Sequence, residues 1–293
     1  MLCALIILII MIFLFYELIA SSIPSIKKYG IGFLFSKDWD PVQEKFGAFP
    51  SICGTLVSTV IAMTIAVPLS FMTAFFLVEF SHPILSRITG QAIDLLAAIP
   101  SIIYGMWGLF VFAPFMQEHI QPFPCNKLGF IPLFRGYPMG VGMLTAGLIL
   151  ALMILPFMCA VIRDVFKMVP PVVKEAAYGV GCTTWEVSWN ITTKYGMQGI
   201  LGALFLGLGR AIGETMAVTF VIGNAQNISI SLMEPGNSIA STLASQFSEA
   251  VAMPLFKSVL LELGLILFVT TFAIQVIAQL WLEKVRKSMG AGL

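Results

Sequence analysis

The chain has 293 residues, of which 58% are hydrophobic and 11% charged, and its formal net charge is +1. Soluble domains carry about a quarter charged residues, so this composition excludes a soluble globular protein and describes an integral membrane protein. The near-neutral balance singles out no basic or acidic surface.

The chain opens on "MLCALIILIIMIFLFYELIA". A signal peptide has a basic start and a short apolar core; here no Lys or Arg precedes the run. It reads as a first spanning helix without its usual cytoplasmic flank, as a clipped or wrongly assigned start would leave it. A spanning helix needs about 20 mainly apolar residues, and six windows qualify: 2–20, 52–78, 92–115, 141–162, 198–223 and 257–282. Polar segments at 24–50, 116–140 and 224–256 fall on one side; a turn at 80–91 and a loop at 163–196 fall on the other. The second side, with the C-terminus, carries eight Lys and Arg against seven, and Arg163, Lys167 and the "EKVRK" cluster lie next to helix ends. Positive charge near span ends marks the cytoplasm, so both termini are expected there.

Pro68, Pro100 and Pro156 fall inside windows, where proline removes a helix hydrogen bond. The fifth window is crowded with Gly199, Gly202, Ala203, Gly207, Gly209, Gly213 and Ala217. Small residues at such spacing let helices approach closely, so a packed interior helix is expected. The five cysteines are scattered and match neither a disulfide framework nor a metal site. His82 and His119 stand in loops without ligand partners, and no catalytic triad or phosphate-binding glycine loop is present. No enzyme, metal or nucleotide site is therefore expected in this chain. Glu79, Asp94, Glu262 and Glu283 lie at span ends and are expected at the interface.

The 163–196 loop reads as a folded device. Pro170 and Pro171 suit a first helical turn, Val172 to Val180 can continue it, and Gly181 can end it with positive φ. Thr183 stands three residues before Glu186, a capping box opening a second short helix with Trp185, Val187, Trp189 and Ile191 on its apolar side. Two readings fit: an amphipathic pair resting on headgroups with tryptophan anchors, or a docking surface.

Glu175-Ala176-Ala177, three residues, Gly181, nine residues and Ile191 resemble the EAA motif of ABC importer permeases. The family's usual Leu-Pro ending is replaced by Thr193-Lys194. "FLFSKDWDP", "AIPSIIYGMWGLFVFAP", "KEAAYGVGCTTWEV" and "GLGRAIGETMAVTFVIG" together resemble the PstC-type permeases of bacterial phosphate importers, from about residue 30 to 283. The resemblance implies one all-α permease domain over 1–293 with the type I ABC importer fold in the bacterial inner membrane. It implies that Glu175, Ala176, Ala177 and Gly181 couple the chain to an ATPase. It further implies a PstA-type permease partner, two PstB-type ATPase copies that bind ATP and Mg, and an external phosphate-binding protein.

Arg210 and Glu214 stand in the middle of the fifth window. A charge at mid-bilayer costs about 2.5–3.5 kcal/mol and commonly marks a substrate path. Four residues apart on one helix, the two share a face and can pair, so a structural salt bridge is one reading. The other is an anion site: arginine's planar fork suits phosphate oxygens, and the resemblance puts the pair in the translocation path. Glu214 would weaken the hold, help release and accept a proton from phosphate; Thr215 and Thr219 line the path or bond to backbone carbonyls. Another oxyanion, such as molybdate or sulfate, an ion-gradient transporter and a non-transporting scaffold remain open.

Overall fold

The computed structural model describes residues 2–127 and 130–290; residues 128–129 of the expected outer segment, and 1 and 291–293 of the expected domain, lie outside it. The described residues are helical: α1 (Leu2–Tyr29), α2 (Gly32–Phe35), α3 (Phe49–Glu79), α4 (Pro83–Ala97), α5 (Ser101–Trp107), α6 (Ala113–Phe115), α7 (Pro122–Lys127) and α8 (Met143–Lys167), then α9 (Pro171–Gly179), α10 (Thr184–Glu186), α11 (Thr193–Ile212), α12 (Met216–Val221), α13 (Ile239–Ala250) and α14 (Pro254–Gly290). π-Helical turns occupy Gly108–Phe112, Met116–Ile120 and Val187–Thr192.

Among the described residues four helices, α1, α3, α8 and α14, are long and apolar enough to span, matching four of the six expected windows. Pro68 and Pro156 are accommodated inside α3 and α8. The other two windows are broken. The expected 92–115 span is not one straight helix: α4 and the run Ser101–Cys125 meet at an 89° bend. Pro100 sits at the break and cannot donate to Leu96, and the residue before a proline avoids helical φ/ψ. The Tyr104 hydroxyl donates to the freed Leu96 carbonyl at 2.9 Å. The expected turn at 80–91 is mostly helix, because Pro83 stands at the first position of α4 behind the His82 cap.

The 198–223 window is interrupted at Gly213–Thr215, between α11 and α12. Glycine is a poor helix former. The side chains that follow bond the local backbone instead of supporting a helix: Glu214 Oε1 accepts from Ala217 N–H at 3.2 Å, and the Thr215 hydroxyl donates to Gly213 O at 3.3 Å.

The chain divides into two compact units. One comprises residues 1–58, 105–146 and 213–272 and so holds all three expected outer segments. Its core joins Phe33 and Phe46 from the first of these to Ile239, Phe256, Val259 and Leu263, with Phe46 stacked on Phe256 at 5.2 Å. The Trp39 indole donates to Gln246 at 2.9 Å. Here too α12 lies against Gly105 of α5, where a Cβ would be 2.9 Å from the Met216 carbonyl oxygen.

The second unit comprises 59–104, 147–212 and 273–293 and holds the 163–196 loop. Its core packs Ala74 and Phe75 of α3 with Cys159, Ile162 and Phe166 of α8 and Ile200 and Ala203 of α11. A Cβ at Gly199 would lie 2.6 Å from Val165, and one at Gly207 2.5 Å from Met158 Sδ. The small residues of α11 thus seat it on α8.

Candidate functional site

The 163–196 loop forms largely as its residues dictate. Pro171 opens α9, and Gly181 adopts φ +90° just beyond its end. The Gly181 N–H donates to Tyr178 O at 3.0 Å and the Cys182 N–H to Ala177 O at 3.2 Å, closing the helix. Glu175, Ala176 and Gly181 are exposed, whereas Ala177 is buried. The capping box is present. The Thr183 backbone N–H, then its hydroxyl, hold the Glu186 carboxyl below its ordinary pKa.

The second helix is not a separate short one. α10 runs through the π-turn at Val187–Thr192 directly into α11, so helical backbone is continuous over 184–212. Where the family carries Leu-Pro this chain has Thr193-Lys194, and without a proline nothing stops the helix. Trp185 and Trp189 stack 5.8 Å apart and meet Phe75 of α3 edge-on.

Glu79, expected at the interface at a span end, does end α3, and its side chain is only 4% exposed. One carboxylate oxygen accepts from Lys174 Nζ of α9 at 2.6 Å, and the other from the Ser188 hydroxyl of the π-turn at 3.1 Å. Glu262 is also buried and accepts from the Ser25 hydroxyl. Asp94 is half exposed and pairs with the buried Arg163 at 2.9 Å; Glu283 is exposed near the end of α14. The partners of Glu79 lie 95 and 109 residues away in sequence. No local pattern announces them; only the placement of Glu79 at a span end and of Lys174 next to Glu175 hints at such a meeting.

Arg210 and Glu214 do not share one helical face, because the helix that would carry both ends at Ile212. Arg210 is half-buried, its guanidinium carbon 5.0 Å from the centre of the Phe157 ring. Glu214, also half-buried, caps α12 with Oε1. The Thr219 hydroxyl donates to Thr215 O at 2.7 Å, so Thr219 follows the backbone-bonding alternative. Each side chain of the expected site therefore has a local partner of its own.

Spanning helices, a helical run broken beside an arginine, and a helix–glycine-turn–helix loop leading into that run make up the fold of this chain. Solved structures share this fold at 15% sequence identity. A bacterial alginate ABC transporter in complex with a pentasaccharide-bound periplasmic protein gives a TM-score of 0.63 over 94% of this chain and 92% of that one. The inward-facing MetNI methionine ABC transporter gives 0.56 over 82% of this chain and 94% of that one. The chain belongs to the family of binding-protein-dependent transport system inner membrane components, which its residues 66–287 match. It is a multi-pass inner-membrane protein. Phosphate transport system permease proteins PstC resemble it along nearly its whole length. That of Pasteurella multocida is 51% identical over 94% of this chain and 86% of its own length. That of Haemophilus influenzae is 50% identical over 98% and 92%, and the probable one of Methanocaldococcus jannaschii 36% over 91% and 86%.

Proposed function

We infer that this chain is the pore-forming permease subunit of an ATP-driven importer of inorganic phosphate. The observation that carries this reading is 50% identity to a phosphate permease over 98% of the chain. The subunit transports and does not hydrolyse. ATP and Mg bind a PstB-type ATPase dimer, which docks on the exposed Glu175 and Ala176 beside the Gly181 turn; Ala177 packs that helix from beneath. A PstA-type permease completes the pore, an extracytoplasmic binding protein delivers phosphate, and both termini lie in the cytoplasm.

In this reading Arg210 orients the anion. Its fork offers several parallel donors to phosphate oxygens, and the Phe157 ring beneath the guanidinium steadies the cation by about 0.5–2 kcal/mol. Glu214 and Thr215 contribute polar groups where the helix opens. The cap occupies Oε1 of Glu214, which leaves Oε2 to accept from a phosphate hydroxyl. A carboxylate near the anion also keeps it from being held too long, as a conducting site requires.

The test is radiolabelled phosphate uptake in cells lacking the chain, then restored with wild type, Arg210→Lys, Glu214→Gln or the reversed pair Arg210→Glu with Glu214→Arg. Wild type should restore uptake that is lost on ATP depletion. Lysine keeps the charge and the ring contact but loses the fork, so uptake should fall severely in an assembled, ATP-hydrolysing complex. Glu214→Gln should slow turnover and retain phosphate longer. Full uptake by the reversed pair would reduce these residues to a salt bridge.

A further inference from the structure

An ATPase that docks on the coupling loop can drive the pore only if the loop's movement reaches the membrane helices. Two connections are covalent: α9 follows α8 through Met168–Pro170, and the π-turn continues into α11. α3 has no such connection to the loop, its last residue preceding Lys174 by 95 positions. What joins it is partly apolar: Phe71 and Phe75 meet Trp189, and Phe75 and Phe80 meet Trp185, at 5.8–6.2 Å. These ring contacts, with the core that Ala74 and Phe75 share with α8 and α11, hold α3 by packing and contain no hydrogen bond or ion pair.

The Glu79 carboxylate is different. One oxygen takes the ammonium of Lys174, the residue beside Glu175, and the other takes the hydroxyl of Ser188 in the turn that leads to α11. The α9 arm of the loop is thereby fixed to the end of α3 by a short charge-assisted bond, and the π-turn arm meets the same carboxylate through a shared hydroxyl. The carboxylate is 4% exposed and Lys174 23%, so water screens the pair poorly. Ser188 is fully buried and shares its single hydroxyl proton between Glu79 at 3.1 Å and Thr184 O at 2.7 Å, so the Lys174 bond is the firmer of the carboxylate's two contacts. A buried pair is weak evidence for stability by itself, and fixing the register of the elements it joins is its best-attested use.

We propose that Glu79 is a positioning residue that makes α3 move with the coupling loop, so that ATPase motion is transmitted to three helices rather than two. The proposal rests on the permease reading above. It is tested in the reconstituted complex with Glu79→Gln, Lys174→Met and Lys174→Arg, by phosphate moved per ATP hydrolysed. A second readout is hydrogen exchange at 75–79 and 174–192 with and without ATP. Glutamine keeps an acceptor for Ser188 and removes the charge; methionine leaves the buried carboxylate without its cation, so it is the harsher single change. Glu79→Gln combined with Lys174→Met buries no unpaired charge and keeps the test informative if methionine alone fails to assemble.

With Glu79→Gln or Lys174→Met, ATP should still change exchange in the loop, but the response at the end of α3 should vanish. Phosphate moved per ATP should fall on the order of tenfold, the scale of a lost hydrogen bond to a charged group. Lys174→Arg should restore both. An unchanged ratio with an unchanged α3 response overturns the proposal, as does a loss confined to complex yield with normal coupling in what assembles. If the wild-type complex hydrolyses ATP without moving phosphate, the substrate reading fails, while the exchange response still decides whether Glu79 ties α3 to the loop.

Discussion

Gly181 offers a clean perturbation, because its φ is +90° and a Cβ built there meets nothing within 4 Å. Substitution therefore brings no clash, and backbone strain is the whole penalty. For L-residues the left-handed region costs about 1–2 kcal/mol, with Asn the mildest case. Energies of one to two kcal/mol correspond to roughly a 5- to 30-fold loss of the native turn relative to alternatives. When the turn relaxes, the Gly181 and Cys182 N–H bonds to Tyr178 and Ala177 are lost and α9 tilts against α10. The series Gly181→Asn, →Ala and →Val should thus weaken ATPase binding and phosphate uptake progressively, valine most, while the membrane part stays folded. ATPase titration against the purified permease pair, and uptake in proteoliposomes, measure both. Equal behaviour of Asn and Val would refute strain as the cause, and normal uptake by Val would remove the turn from coupling.

Three further outcomes follow from other positions. Gly54→Ala should destabilise the complex by about 1–3 kcal/mol or more, the range for overpacking, since its Cβ would lie 1.8 Å from the Asn237 carbonyl oxygen. Gly202→Ala, with open space around it, should be neutral or gain up to about 1 kcal/mol in helix propensity; thermal denaturation of the purified complex compares them. The Glu186 cap should be pH-dependent. Its carboxyl is held below its ordinary value, so its contribution is complete above the unfolded value of about 4.3 and disappears as pH falls through the folded one. Amide protection at 183–186 should hold level above about pH 4.3 and drop as pH is lowered further in wild type, and stay flat in Glu186→Gln.

What could be read from the sequence was local. The capping box depends on Thr183 and Glu186 alone, the turn on Gly181, and the four long spans on runs of apolar residues. The breaks were harder because their cause is a balance. Pro68 and Pro156 are carried inside helices, yet Pro100 bends the chain by 89°. A proline alone does not say which will happen. At 213–215 the apolar run hides a glycine followed by two side chains that bond their own backbone, and hydropathy averages over this. The continuity of α10 into α11 was implicit in the missing proline, but the π-turn that absorbs the register was not. The burial of Glu79 could not be read because its partners come from chain segments about a hundred residues away, and only tertiary structure brings them to it.

The interruption at Gly213–Thr215 also bears on biogenesis. A segment entering the bilayer alone must satisfy its own backbone, and α11 ends two residues after Arg210, while α12 has only six residues. Each charge adds about 2.5–3.5 kcal/mol against partitioning, on top of the backbone groups freed at the break. This stretch is therefore a poor client for unassisted insertion. α8, strongly apolar and synthesised earlier, offers through Val165 and Met158 the surface on which Gly199 and Gly207 seat α11. Membrane integration of this stretch is thus a packing event rather than a partitioning event, and a chain that fails to pack it would expose the defect to quality-control proteases.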